Sequence, residues 1–139
     1  TSREPEVEPL NAKDKKLIAE TQNIAKTVSE HIDSFRLDLA ADVIYHFVWH
    51  RFADEIIEES KPILKLGGDP SNPSGQAAAK SRRHTLYSIL HTSLRLLHPF
   101  MPFVTEAIWQ ELPQPASAEG SGKAKKESDM LMVAKWPTV

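Results

Sequence analysis

The chain is predicted to fold as an all-α bundle of four to five helices, closed by a short extended C-terminal segment. Three observations carry that prediction. Apolar residues recur at three- and four-residue steps over long stretches, the period of a helix with one buried face. Turn-forming residues cluster at only a few places. The run Leu96–Trp109 (Leu-Leu-His-Pro-Phe-Met-Pro-Phe-Val-Thr-Glu-Ala-Ile-Trp) dictates a tight corner between two apolar helices. Pro99 disfavours helix at the residue before it, whereas Pro102, lacking an N–H, suits the first turn of a new one.

Each element follows in order. Residues 1–10, with Pro5, Pro9 and several Glu, read as a flexible lead-in. Asn11 is the expected N-cap of the first helix, with Asp14 acidic in its first turn. Leu17, Ile18, Thr21, Ile24, Val28 and Ile32 form its apolar stripe, which ends between His31 and Ser34. A second helix is expected from about Asp38 to Ser60, stopped by Pro62. It is apolar on most sides between Leu37 and Phe52, the mark of a helix surrounded by others. Its polar exceptions Asp38, Asp42, His46 and His50 make one narrow ridge.

Leu66–Gly75 is a loop by every turn signal. A third helix starts between Ser74 and Ser81 and reaches Leu97. Leu86, Ile89, Leu90, Ser93, Leu94 and Leu97 are its expected buried face, with His84, Ser88, His91, Arg95 and His98 opposite. The fourth helix, Pro102 to Leu112, is expected to bury Phe103, Val104, Ala107, Ile108 and Leu112. The division is thus lead-in 1–10, bundle 11–113, a Gly/Ser/Lys-rich flexible connector 114–128, and an extended segment 129–139 packing on the bundle.

Composition narrows the function. A chain of 139 residues with 40% hydrophobic and 26% charged residues is an ordinary globular domain, long enough to bury a core. The absence of cysteine excludes a disulfide framework and thiolate chemistry, consistent with a reducing, cytoplasmic setting. No apolar run suits a bilayer, and no signal peptide opens the chain, so no membrane partner is expected. Gly67-Gly68 stands alone, without the residues of a phosphate-binding loop, and no Gly-x-Ser-x-Gly elbow occurs. No catalytic residue is therefore assigned. His46 and His50, four apart, can share a metal with Asp42 one turn back. The same spacing describes exposed ridge positions, and no metal site is assigned.

Net charge is −2, but the signs are segregated. From Ser71 to Thr105 there is neither Asp nor Glu, while Lys80, Arg82, Arg83 and Arg95 fall in that window with three histidines. Such a surface can neutralise phosphates. Arg82, Arg83, His91 and Arg95 are the candidate backbone contacts. His46, His50 and Arg51 are candidates near bases. Tyr45 and Trp49 have the chemistry to stack on bases, but their positions in an apolar helix favour core packing.

The Leu96–Trp109 corner resembles that of the valyl-tRNA synthetases, in their anticodon-binding helical domain. Leu37-Asp38-Leu39-Ala40-Ala41, followed by Ile44-Tyr45-His46-Phe47-Val48-Trp49-His50-Arg51-Phe52, resembles that domain's central helix, and Asp54 and Ser60-Lys61-Pro62 continue it in register. Leu131-Met132-Val133-Ala134-Lys135-Trp136-Pro137 is similar to the closing Ala-x-Trp-Pro segment. The resemblance spans about residues 11–137. It departs where Ala53 replaces the usual Cys and Glu55-Ile56 an aromatic pair. Leucyl and isoleucyl enzymes share the bundle and a looser form of the corner. His98-Pro99-Phe100-Met101-Pro102 with Tyr45–Trp49 favours the valyl branch.

The resemblance implies a monomeric module that holds the anticodon stem-loop of valine-specific tRNA. It would orient the acceptor end for a catalytic domain of the same enzyme. Both class I signature motifs are missing here, so ATP and magnesium belong to that other domain, and no cofactor is expected in this chain. A helical protein-interaction module is the alternative from a different class.

Overall fold

The computed structural model describes residues 11–112 and 130–137; the expected lead-in and the 114–128 connector lie outside them. Among the described residues there is no strand. Helix α1 spans Ala12–Asp33. Asn11 caps it as expected, its side chain accepting the Lys13 N–H at 3.3 Å. The α1 C-terminus closes with a paired turn: the Arg36 N–H reaches His31 O at 2.8 Å and the Phe35 N–H reaches Ile32 O at 2.9 Å. That turn needs a left-handed residue, and Phe35 supplies it at φ 59°.

The second rod differs from expectation in two ways. It comprises α2 (Leu37–His46), a π-helical segment (Phe47–Ile56) and α3 (Ile57–Leu66), so it runs through Pro62. Pro62 removes one N–H, but both it and Glu58, four residues back, where the lost donor would have bonded, are exposed. The π segment has a plain cause in the sequence. Buried Phe47, Phe52, Ile56 and Ser60 are spaced five, four and four residues apart. An α-helix cannot hold a five-residue step on one face, whereas the wider π turn can.

Helix α4 spans Pro73–Leu97. Pro73 occupies its first turn, and the Asn72 side chain accepts the Gly75 N–H at 3.0 Å. Helix α5 spans Pro102–Glu111 and starts at Pro102 as expected. Helices α1 and α4 run parallel: Asp14 meets Ser81 and Arg82, while Ile18, Thr21 and Gln22 share a groove of about 190 Å³ with Ser88, Ile89 and Thr92. The main core joins Leu17, Ala25 and Val28 of α1 to Ala40 and Ile44 of α2, the π-segment residues, and Ile89, Leu96 and Leu97 of α4. Trp109, Leu94 and Leu131 form a second, smaller cluster.

Two further expectations are corrected. The C-terminal segment forms a 3-10 turn, Leu131–Val133, rather than beginning as an extended strand. A helical bundle offers no strand edge to pair with. The Glu106 carboxylate instead accepts the N–H groups of Leu131 and Met132 at 3.1 and 3.3 Å, and the Trp136 indole donates to Ser29 Oγ at 2.8 Å. Helix α5 buries Thr105 and Trp109, leaving Phe103, Val104, Ala107 and Ile108 outward. The His98 ring lies 2.9 Å from Thr105 Oγ1 and the His91 ring 4.5 Å from that of Trp109, so α5 folds back on the polar side of α4.

Candidate nucleic-acid interface

The second rod presents four rings side by side. Tyr45 and Trp49 lie four residues apart, so they neighbour one another on the helix surface. Their rings stack with centroids 4.7 Å apart and planes 15° apart. His46 and His50 repeat the arrangement at 5.1 Å, and Tyr45 meets both histidines edge-on. The expectation of core packing for Tyr45 and Trp49 fails: Tyr45 is 48% and Trp49 37% exposed. Ala40, Ile44 and Phe47 hold the buried face of the rod, and at about 100° per residue Tyr45 and Trp49 fall on its far side. The signal in the sequence was that stripe of three, hidden because the rest of the segment is apolar too.

Acidic side chains frame this platform. His46 Nε2 lies 3.3 Å from Asp42 and His50 Nδ1 lies 3.9 Å from Asp54. Arg51 is committed elsewhere: its guanidinium donates twice to Glu20, at 2.7 and 3.0 Å, and once to Glu55 at 2.6 Å. The hydrogen bonds it donates to Glu20 hold it charged, above its ordinary range. The platform thus offers ring faces and carboxylate acceptors, the chemistry of unstacked bases rather than of phosphates.

Cations gather instead where α3 meets the start of α4. Lys65, Lys80 and Arg83 are exposed and form no ion pair with another described residue. Gly67 brings them together. A methyl group there would stand 2.4 Å from the Ala79 Cβ and 3.8 Å from the Arg83 guanidinium, so only glycine lets the chain turn so tightly against α4.

The other sequence candidates are placed differently. Arg82 is not a phosphate contact. It is 1% exposed, with Nε 2.8 Å from Asp14 Oδ1, an ionic approach whose alignment falls short of a hydrogen bond. Its Nη1 donates to Ser60 Oγ at 3.3 Å. Successive residues on a helix point some 100° apart, so Arg83 can face water while Arg82 faces α1 and α3. Arg95 is half-buried and donates to the Lys135 carbonyl at 3.2 Å, clasping the C-terminal segment. His91 is half-buried, its ring 4.5 Å from that of Trp109 and 5.8 Å from that of Tyr87. Of the seven residues, the structure leaves Arg83, His46 and His50 on the surface. Among the described residues no three His, Cys, Asp or Glu side chains gather to hold a metal. No described helix is long and apolar enough to cross a membrane.

Residues 14–139 match the family described as the anticodon-binding domain of tRNA ligase. The chain belongs to that family. It is 37% identical over 124 residues to a valine–tRNA ligase from Laribacter hongkongensis (strain HLHK9). The match covers 89% of this chain and 12% of that relative, so the chain spans about an eighth of the ligase it matches. The sequence expectation of an anticodon-binding bundle similar to the valyl enzymes is met on both counts.

Proposed function

We propose that this domain binds the anticodon stem-loop of a valine-specific tRNA as one part of a cytoplasmic, monomeric valine–tRNA ligase. It positions the tRNA for ATP- and magnesium-dependent valylation at a catalytic centre outside residues 1–139. The supporting observation is the division of labour on its surface. Exposed Tyr45 and Trp49 offer faces on which loop bases stack. Lys65, Lys80 and Arg83 supply positive charge for the sugar-phosphate backbone. His46 and His50 flank the base platform. Arg82, Arg95 and Arg51 serve the bundle rather than the RNA.

Fluorescence anisotropy with labelled valine tRNA and a mismatched tRNA tests the reading. The wild-type domain binds the valine tRNA more tightly. Lys80→Glu with Arg83→Glu weakens binding to both tRNAs and flattens the salt dependence, because fewer counterions are released. Equal affinity for the two tRNAs overturns valine specificity; no binding to either at micromolar protein overturns RNA recognition.

A further inference from the structure

The end of the bundle opposite Lys65, Lys80 and Arg83 displays several large apolar side chains. Because α1 and α4 run parallel, the corner after α1 and the corner after α4 lie at the same end. Phe35 is 92% exposed there, followed by exposed Leu37; Phe103 is 91% exposed, beside exposed Met101 and Val104. A bundle of this size rarely displays so many large apolar side chains together. Phe35 adds a second argument. It holds the left-handed position of the α1 terminal turn, which glycine fills at least cost, and its side chain returns no packing. Arg36, the cation of this corner, is paired with Asp38 at 3.1 Å.

We infer that this end docks against the remainder of a longer ligase polypeptide, through an apolar protein surface that receives Phe35 and Phe103. The inference rests on the reading that the chain works within such a ligase. Within the two corners themselves, 33–38 and 98–104, the one described Lys or Arg is Arg36, already paired, so a phosphate backbone finds little to bind there. A protein partner fits, and a similar ligase keeps most of its chain outside this domain. The bundle then has two poles: cations at one end for nucleic acid, aromatic knobs at the other for the enzyme body.

Photo-crosslinking tests this in the full-length ligase polypeptide that carries the domain. Benzoylphenylalanine replacing Phe103, and separately Phe35, keeps an aromatic side chain at positions where the fold makes no use of it. An adduct to a peptide of the same polypeptide outside residues 11–137 supports the inference. An adduct to a second copy, an adduct to tRNA, or no adduct at either position overturns it. Valine tRNA binding by the Phe35→Ser/Phe103→Ser domain is a separate readout and stays at the wild-type level. A loss there with the thermal melt intact reassigns the end to RNA and overturns the inference. Failure of the wild-type domain to bind tRNA, with the intramolecular adduct present, would instead count against the tRNA reading alone.

Discussion

Replacing Arg82 with methionine separates two roles that its place in a basic helix confounds. The guanidinium is 1% exposed and Asp14 is 2% exposed, with 2.8 Å between their nearest charged atoms. Ser81 donates to Asp14 Oδ2 at 2.6 Å, and Ser60, bonded in turn to the Ile56 carbonyl, accepts from Arg82. Arg82→Met leaves the Asp14 carboxylate buried with one hydroxyl partner and no counter-charge. Breaking such a pair from one side costs about 3–5 kcal/mol. For a domain of this size the melting temperature should fall by about 10–15 °C, read by circular dichroism. Removing both charges, as Asp14→Leu/Arg82→Met, should recover most of the loss, because the desolvation penalty disappears with the second charge. Below the transition, tRNA affinity should stay at the wild-type level. An unchanged melt with about a tenfold drop in tRNA affinity, about 1.4 kcal/mol, would show that Arg82 meets phosphate and that the buried pair is wrong.

Three other outcomes follow from named contacts. Phe35→Gly should raise stability by about 1 kcal/mol by relieving the left-handed backbone, and a lower melting temperature would mean that the ring is packed. Trp49→Ala should weaken tRNA binding by about 1–3 kcal/mol, the worth of one stacked base, with little change in melting because the ring is half in water; unchanged binding refutes the platform. Glu106→Ala should release the C-terminal segment by removing the acceptor for the Leu131 and Met132 N–H groups. Amide exchange of residues 131 and 132 should then accelerate by about one order of magnitude, at about 1–2 kcal/mol for charge-assisted bonds, and unchanged exchange would refute the clasp.

Local rules were the legible part of this chain. Asn11 stops the chain from entering the helix early, Pro102 starts α5 because it needs no N–H partner there, and the turn after Asp33 falls where the apolar stripe ends. The failures share a cause. Periodicity reports which residues can avoid water, and it does not say whether anything arrives to cover them. In α5 two apolar faces competed; Trp109 took the buried one by packing on Leu94 and Leu131, and Phe103 was left outside. In the second rod, Ala40, Ile44 and Phe47 took the buried face, and Tyr45 and Trp49 were left on the opposite side. Arg82 was misread because a charged residue in a basic run looks solvated until an acid from a distant helix meets it.

The sequence alone determined the all-helical class, the corners and the family, since these depend on backbone preferences and on motifs read residue by residue. Tertiary structure alone decided which charges are available to a ligand. Asp14 and Arg82 lie far apart in the chain, and only the parallel packing of α1 on α4 brings them within reach. Once they meet, the low dielectric between the helices ties them together, and only the cations that packing leaves in water stay available to a ligand.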